Sequence, residues 1–539
     1  MKIETASWPK SQPLAEQYTS AFENVQSFYD FAPGAWTERA GWLDSGSSPA
    51  ANRGELVKLL MAFNEKSENA PEAIENIRLL RDPRTLVIAG GQQAGLFTGP
   101  LLVVYKAITV LQAAREASAQ LGRPVVPVFW IAGEDHDFDE VNHTYVMSPQ
   151  QSIEKVQIAH PTGIRTSISR LSITEWSDAI KQLEGQLPDT EFKAPLLDKL
   201  QAFAERSDTL VSYFARIVAD MFGRHGLVLI DSDDPSLRKL EAPMFRHMLE
   251  AHRDIREAVE AGVANVEALG YRPQAETAAD SVNLFIFRED GERVLLHSDG
   301  DDFTDRKKQF RYGMEQLLEW TEQAPQRFSN NVMTRPAMQD YVLPVLGVVL
   351  GPGEIAYWSQ LKGVFHALGM RMPIIVPRQE YTLLEGTIVK HMDKYGLSFE
   401  DVLGCFEEKK NGWLKEQDEL KLEQRFDEIE LKFNDMYTPL VEDIAGINAG
   451  LRKLGETNMQ KIAEQIRFLK GKAIDARQAQ QESAVRQLDR IRLTISPIGK
   501  LQERVYNVYA YLNKYGDSWL HVLAETPYEP DGLHRIVHL

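Results

Sequence analysis

The stretch LVIAGGQQAGLFTGP at residues 86–100 decides the fold, together with the apolar helix pattern LLVVYKAITVLQAAREASAQLG that follows it. An apolar strand that runs into a glycine-rich turn and then into a helix is typical of a βα unit. The glycines let backbone N–H groups approach an anion at the positive end of the helix. Plain turn geometry is the alternative, but two adjacent glutamines favour a ligand loop. Its candidate ligand-binding residues are Gly91, Gln92, Gln93, Gly95 and Thr98.

Further apolar runs extend this pattern over residues 85–384. They are VVPVFWIAG, LVLIDSD, NLFIF, RVLLH, VLGVVLG and MPIIVPR, with helical patterns between them. This alternation predicts an α/β fold with a largely parallel sheet, whose ligands bind at the carboxyl ends of the strands. Before LVLIDSD, residues 142–205 contain the alternating runs SIEKVQIAHP and TSISRLSIT, which predict an inserted subdomain.

Composition narrows the class of protein. A chain of 539 residues is long enough for several domains, and 43% apolar with 26% charged residues is typical of a globular protein. The N-terminal residues do not resemble a secretory signal, and the most apolar stretches are shorter than the about 20 residues that cross a bilayer, so we expect a cytoplasmic protein without a membrane partner. One cysteine, Cys405, excludes a disulfide framework, and a net charge of −18 disfavours nucleic acid as a partner.

Long charged helix begins near residue 406. Two apolar seams repeat with heptad spacing: Leu422, Phe426, Ile429, Phe433, Met436 and Leu440, and then Ile462, Ile466, Leu469, Ala473 and Ala476. Residues 454–457, with a glycine and then a threonine, predict a turn between two antiparallel arms, and Pro439 predicts a kink or break in the first arm.

This hairpin has two interpretations. Packing within one chain explains the seams alone, whereas a further apolar face that includes Trp413, Leu420 and Leu431 favours pairing with a second subunit. We expect a homodimer. The predicted domains are a core at 1–384, the hairpin at 385–495 and a C-terminal segment at 496–539 that packs on the core.

The stretch WIAGEDHDFDEVNH at residues 130–143 crowds acidic groups and histidines at a strand end. Mutual repulsion costs stability there unless a ligand or basic neighbours offset it. A divalent metal, a substrate ammonium with His136 as general base, and an acidic cap on a helix dipole are all possible interpretations. We favour substrate binding or acid/base chemistry, because the spacing matches no fixed metal motif. The candidate catalytic residues are Glu134, Asp135, His136 and Asp137, with Asn142 and His143 as substrate-binding residues.

Two later segments add candidates. In NNVMTRPAMQDYVLPVLGVVLGPGE at 330–354, Arg335 suits a carboxylate, and Gly353 and Glu354 open a helix after a buried strand. These loops and the two earlier ones converge on one edge of the sheet. Near the C-terminus, basic and aromatic residues predict either a nucleotide site or a packed helix. The nucleotide-binding candidates are Arg490, Lys500, Arg504, Asn507 and Tyr511.

The segments GGQQAGLFTGPLLVVYK, FWIAGEDHDFDEVNH, LGPGEIAYWSQLK and LQERVYNVYAYLNKYG, in this order and with a coiled-coil hairpin before the last, resemble the BshC family, the cysteine-adding enzymes of bacillithiol biosynthesis. The resemblance covers essentially the whole chain. It implies a ligase that joins cysteine to glucosaminyl-malate, forming a low-molecular-weight thiol. It also implies a Rossmann-like, nucleotidyltransferase-type core with connective-peptide insertions and a dimerising coiled coil.

Residues that class I nucleotidyltransferases use on phosphates are absent from this sequence. The first strand-to-helix turn has Gln92 and Gln93 where a His-x-Gly-His motif would stand, and no Lys-Met-Ser-Lys-Ser loop follows. ATP or ADP therefore stays a possible cofactor only, and no metal is predicted. We expect the substrate carboxylates near Arg335 and the 90–99 backbone and its amine near Glu134 or Asp137. The rival hypotheses are a nucleotidyltransferase-like enzyme on another substrate and a non-catalytic nucleotide-binding scaffold.

Overall fold

The computed structural model describes residues 2–275, 278–416 and 421–539. It divides into two compact units. The core unit comprises the chain up to Leu383 together with Leu501–Leu539, and the helical unit comprises Leu384–Lys500. Within the described ranges, no helix is both long and apolar enough to cross a membrane.

The strands are numbered in chain order. They are β1 Lys2–Ala6, β2 Leu86–Gln92, β3 Val125–Ile131, β4 His143–Met147, β5 Ile153–Gln157, β6 Val228–Asp231, β7 Ser281–Phe287, β8 Arg293–Asp299, β9 Asp302–Thr304, β10 Tyr312–Gly313, β11 Phe328–Asn330, β12 Val345–Leu350, β13 Ile374–Pro377, β14 Glu380–Leu384 and β15 His534–His538.

The α-helices are numbered in the same way. They are α1 Pro13–Ser20, α2 Trp36–Asp44, α3 Arg53–Lys66, α4 Pro71–Leu79, α5 Leu101–Leu121, α6 Phe138–Val141, α7 Trp176–Gln186, α8 Lys193–Ala204, α9 Leu210–Phe222, α10 Pro235–Glu250, α11 His252–Ala268, α12 Met314–Gln323, α13 Arg335–Val342, α14 Pro352–Trp358, α15 Lys362–Ala367, α16 Gly386–Tyr395, α17 Phe399–Gly404, α18 Phe406–Glu416, α19 Leu422–Ile447, α20 Gly450–Ile495, α21 Tyr509–Tyr515 and α22 Ser518–Glu525.

A five-stranded parallel sheet in the order β13-β12-β2-β3-β6 forms the centre of the core unit. Every residue of β3 and β12 is buried, as expected for strands that are covered on both faces. Helix α5 follows β2 directly and is buried over most of its length. This arrangement confirms the predicted α/β class and places the β2, β3 and β12 loops at one edge of the sheet.

The prediction was wrong about two strands of the parallel sheet. The runs NLFIF and RVLLH form β7 and β8, which pair antiparallel in a separate sheet of order β10-β9-β8-β7-β11. Residues 288–292 join them in a tight turn in which Gly291 has φ +84°. Such a turn has no room for the crossover helix that parallel neighbours need, and the Asp-Gly pair in it is a typical hairpin signal.

Residues 142–205 form the antiparallel hairpin β4-β5 and the helices α7 and α8. The second alternating run, TSISRLSIT, contains a 3₁₀ turn at Ile168–Arg170 and no strand of the described sheets. Val146, Val156 and Trp176 belong to the same buried cluster as Phe129 of β3. This inserted segment therefore shares its hydrophobic core with the central sheet.

Helices α19 and α20 of the helical unit pack against each other as an antiparallel pair. Ion pairs join Glu430 to Arg467 and Asp427 to Lys470, so the two helices run in opposite directions. The connection lies between the end of α19 at Ile447 and the start of α20 at Gly450.

The prediction of a turn at 454–457 was therefore wrong. Gly455 lies inside α20, where a Cβ atom would come within 2.9 Å of Val441 Cγ1, so this glycine allows close helix packing. Helix α19 continues through Pro439. Leu420, predicted on a dimerising face, lies outside the described residues.

Candidate functional site

A cavity of about 410 Å³ opens beside the carboxyl end of β3, against the antiparallel sheet. It combines acidic, basic, amide and apolar side chains. The lining residues are Ala132, Glu134, Asp135, His136, Ala278, Ser281, Phe285, Arg293, Leu295, Asn330, Asn331, Val332 and Arg335. The predicted residues Glu134, Asp135, His136 and Arg335 thus lie together in one cavity.

Glu134 is buried and held by a cation below the cavity. Its Oε2 accepts hydrogen bonds from Arg238 Nη2 at 2.7 Å and from the Asn330 backbone N–H at 3.1 Å. Arg238 also pairs with Glu241 at 2.7 Å and with Asp233 at 3.3 Å. The second carboxylate oxygen, Oε1, has no hydrogen-bond partner among the described residues. The buried network therefore fixes Glu134 and leaves one oxygen available.

Asp135 accepts a hydrogen bond from Gln93 Nε2 at 2.6 Å and two more from the backbone N–H groups of His136 and Asp137. Burial alone would raise the pKa of Asp135, but the Gln93 hydrogen bond and the positive charge of Arg293 outweigh it and lower that pKa. Asp135 is therefore ionised at neutral pH.

His136 lies between two guanidinium groups. Arg293 Nη1 is 2.6 Å from Nδ1 and Arg165 Nη2 is 2.5 Å from Nε2. Burial, Arg293 and Arg165 together lower the pKa of His136 to about 4. A neutral imidazole has one accepting nitrogen, so only one of the two arginines can donate to it at a time. The other arginine consequently keeps an N–H group that can donate to an anion.

Arg335 lines the cavity, and Lys106 lies nearby at the end of β2. The buried Arg335 donates to Tyr357 Oη at 3.1 Å. A Cβ atom on Gly91 would lie 3.7 Å from Arg335 Nη1, an ordinary contact distance, so the guanidinium lies beside the end of β2. Lys106 donates to Glu354 Oε2 at 2.5 Å, to the Gly91 carbonyl at 2.8 Å and to Gln92 Oε1 at 3.0 Å.

Lys106 therefore positions two predicted residues, Gln92 and Glu354. Burial lowers its pKa, while Glu354 opposes the shift. Its side chain is 1% exposed and that of Glu354 is 28% exposed. Gln92 and Glu354 are thus held by a buried cation at the strand ends.

Other predicted residues lie outside the lining of this cavity. They are Gln92, Gln93, Gly91, Gly95, Thr98, Asp137, Asn142, His143, Gly353 and Glu354. Asp137 is exposed. Asn142 Oδ1 lies 3.0 Å from His143 Nδ1 at the start of the β4-β5 hairpin.

The first strand-to-helix turn is covered by the C-terminal segment of the same chain. Residues Leu96–Thr98 are buried, and the first backbone N–H of α5, from Leu101, donates to the Tyr506 carbonyl at 2.8 Å. Asn507 donates to the carbonyls of Phe97 and Gly99, each at 2.7 Å. The prediction that this turn receives an anion at the helix N-terminus therefore fails for Leu101, whose N–H is occupied.

The five nucleotide-binding candidates are divided between the two units. Arg490 and Lys500 belong to the helical unit, and Arg504, Asn507 and Tyr511 belong to the core unit. Asn507 and Tyr511 are buried, and Asn507 Oδ1 accepts from the Tyr509 backbone N–H. Together with the two bonds that it donates, this gives Asn507 a structural role.

Comparison with known families identifies the family to which this chain belongs. Residues 1–379 match the family model for the N-terminal Rossmann-like domain of BshC in bacillithiol biosynthesis, and residues 381–539 match the model for its C-terminal coiled-coil domain. The chain belongs to the BshC family. Similar curated proteins from Bacillus cytotoxicus and Bacillus cereus, each named "Putative cysteine ligase BshC", are 36% identical over 545 aligned positions that cover 100% of both chains.

Several residues of this BshC family site were not found from the sequence. They are Lys106, Arg165, Arg238, Arg293 and Asn330. Lys106 did leave a signal, because it is a lone lysine in an otherwise apolar helix pattern, and a buried lysine needs a partner. Arg293 and Asn330 lie on strands of the antiparallel sheet, whose position against the β3 loop could not be predicted.

The acidic stretch after β3 also raised the possibility of a metal. In the ranges that the structure describes, no three or more His, Cys, Asp or Glu side chains are arranged to hold a metal ion.

Proposed function

We propose that this BshC family member acts in the cytoplasm and joins cysteine to glucosaminyl-malate, forming the amide bond that completes bacillithiol. Full-length similarity to proteins named as cysteine ligases supports the reaction. The observation that carries the proposal is that one cavity is lined both by Arg293 and Arg335 and by Glu134, which has an unpaired carboxylate oxygen. This combination suits a substrate with carboxylates and an amine.

The charges of the cavity suggest an orientation for the acceptor. Guanidinium groups bind carboxylates through paired hydrogen bonds, so we place the malate carboxylates at Arg335, Arg293 and Arg165. The backbone of residues 90–99 is a poorer site than we expected, because the chain's own C-terminal segment covers part of it. The amine then faces Glu134, within the same cavity.

Proton transfer falls to Asp135 and His136. When the amine nitrogen forms a bond to the acyl carbon of cysteine, it must lose a proton to a base. His136 with a pKa of about 4 is a weak base in the free protein. A carboxylate between the arginines would offset their charge and raise the pKa of His136 toward its ordinary value. Acceptor binding would thus activate the base.

An amide made from a free carboxylic acid requires an activated acyl group, so we propose ATP as the source of activation. The turn after β2 does not fit a nucleotide phosphate at its helix N-terminus, since the Leu101 N–H is bonded to Tyr506.

The proposed reaction is tested by deletion and by reconstitution. Deleting the gene should abolish bacillithiol and accumulate glucosaminyl-malate, both measured by fluorescent thiol labelling and chromatography. The purified protein with cysteine, glucosaminyl-malate and ATP should form the thiol. His136→Ala should reduce the rate by about a hundredfold or more, whereas Arg246→Ala, at a half-buried arginine on α10 outside the cavity lining, should not change it. An unchanged thiol profile in the deletion strain would contradict the proposal.

We also propose a homodimer formed through the helical unit. Ile429, Met436, Leu440 and Ile447 are more than half exposed and lie along one face of α19, at helical spacing. From the sequence we expected Ile429, Met436 and Leu440 in the seam within the hairpin and Leu431 on the dimerising face. Leu431 is two residues from Ile429 and so lies on the opposite side of the helix. A second copy of α19 would cover the exposed stripe.

The dimer is tested by sedimentation velocity. Met436→Glu combined with Leu440→Glu should convert the dimer to a monomer, because two charges would be buried in the interface. Leu431→Glu is the matched control and should leave the dimer intact. A wild-type monomer at micromolar concentration would contradict the proposal.

A further inference from the structure

Asn330 is fixed through its backbone while its side chain is not. It ends β11, where it pairs with Leu284 of β7. Its N–H donates to Glu134 Oε2 at 3.1 Å, and its carbonyl accepts from Arg293 Nη2 at 2.6 Å. The residue is 2% exposed, and neither Oδ1 nor Nδ2 has a hydrogen-bond partner among the described residues.

An unpaired amide is costly to bury, because it loses its hydrogen bonds to water and gains none in return. The neighbouring Asn331 avoids this cost, since its Oδ1 accepts from the Met333 and Thr334 N–H groups and its Nδ2 donates to Asn283. Both asparagines line the cavity. Asn330 therefore differs from Asn331 in having a side chain that remains available to a ligand.

A second unpaired atom lies on the same wall. Glu134 Oε1 is buried without a partner, and its carboxylate is hydrogen-bonded to the Asn330 backbone. The wall thus offers two acceptors, Glu134 Oε1 and Asn330 Oδ1, and one donor group, Asn330 Nδ2. Two acceptors on residues that line one cavity match the two hydrogens of a primary amine.

We propose that Asn330 and Glu134 form the amine-recognition subsite of the cavity, and that Asn330 determines the preference for a free primary amine over its N-acylated form. This inference rests on the proposed function. The neutral amine donates one hydrogen to each acceptor. Asn330 Nδ2 donates to a neighbouring hydroxyl of the amino sugar.

An N-acylated amine does not fit this subsite. It has one hydrogen on nitrogen, so one of the two buried acceptors stays unpaired, and a site built to hydrogen-bond a group strongly rejects an analogue that lacks it.

The inference is tested with the full-length protein and Asn330→Leu, which has nearly the same shape. Isothermal titration calorimetry is performed with glucosaminyl-malate and with its N-acetyl derivative. The wild type should bind the amine at least about tenfold more tightly than the amide. Asn330→Leu should bind the amine about tenfold more weakly and lose most of that preference.

Thermal unfolding separates recognition from a structural role. Asn330→Leu should keep or raise the Tm of the free protein, because it removes buried polar atoms that have no partner. Asn64→Leu is the matched control: Asn64 is fully buried, and its amide donates to the Leu60 and Leu229 carbonyls and accepts from the Leu229 N–H. That variant should lower the Tm. Asn330→Asp keeps an acceptor and should retain more amine affinity than Asn330→Leu.

Each other outcome overturns the inference. If the wild type binds the amine and Asn330→Leu binds it equally well, Asn330 does not recognise it, and the proposed function stands. If Asn330→Leu lowers the Tm as much as Asn64→Leu, Asn330 is structural. If the wild type binds neither compound, the proposed function fails and the inference fails with it.

Discussion

Asn507 and Asn330 are both buried asparagines beside loops at the ends of the central strands, but they differ in their hydrogen bonds. The Asn507 amide donates two bonds to the turn after β2 and accepts one from Tyr509. The Asn330 side chain makes none among the described residues. A side chain whose hydrogen bonds are all satisfied holds the fold, whereas one without partners is available to a ligand.

The same contrast separates the two loops. The turn after β2 is rich in glycine, yet the C-terminal segment covers part of it. The loop after β3 borders an open cavity with unpaired polar atoms. Glycine content alone therefore did not distinguish a ligand loop from a structural turn. The presence or absence of hydrogen-bond partners for the buried polar groups does.

The largest expected effect comes from Asn507. Asn507→Leu should lower the free energy of unfolding by roughly 3 kcal/mol, because it leaves the buried carbonyls of Phe97 and Gly99 without donors. Urea unfolding followed by circular dichroism measures this change. Asn330→Leu is the comparison variant. Equal stability of the two variants would contradict the conclusion that the Asn507 side chain stabilises the fold and the Asn330 side chain does not.

A smaller effect is expected from Arg165, whose side chain contacts His136 at the exposed side of the site. Arg165→Ala should raise the pKa of His136, because one of the two positive charges that lower it is removed. An NMR titration of labelled histidine measures this shift. Affinity for glucosaminyl-malate should fall roughly threefold, as expected for an exposed ion pair. An unchanged His136 pKa would contradict the contact.

The sign of the pH dependence follows from the same histidine. Since the pKa of His136 is lowered from 6.5 to about 4, the unfolded chain binds more protons than the folded protein between these values. Stability should therefore fall as the pH decreases from 6.5 through 4. The His136 contribution to this loss should be smaller in Arg165→Ala, measured by unfolding at pH 5 and pH 7.

The smallest effect is expected from Gln93, which donates to Asp135 and to Glu140. Gln93→Leu should raise the pKa of Asp135, because the hydrogen bond that most strongly lowers it is lost. The acid limb of the pH–rate profile should move to higher pH, while the rate at pH 7.5 stays within about twofold. A large loss at neutral pH would mean that Gln93 contacts the substrate.

The sequence predicted the elements of the parallel sheet because their signals are local. Strand β2, its glycine turn and α5 are consecutive, and the acidic loop follows β3 directly. The resemblance to the BshC family was confirmed over the full length. Glu134, Asp135, His136 and Arg335 were predicted and do share one cavity.

Contacts between distant segments could not be predicted in this way. Arg293 reaches His136 from a strand 157 residues away, and Asn330 reaches Glu134 across 196 residues. The helical turn was misplaced for a related reason: Gly455 matched a local stop signal, but its role is to admit Val441 of the facing helix. Tertiary packing decided both cases.

Arg238 has a consequence for how this site can change over generations. It joins Glu134 of the loop after β3 to two carboxylates near it in the chain, Asp233 and Glu241, and all four side chains are nearly or fully buried. Losing Arg238 would leave the buried carboxylates without their cation. A single replacement of Arg238 is therefore strongly destabilising, and related proteins should replace it together with its carboxylates. Exposed residues at the entrance of the cavity can change one at a time.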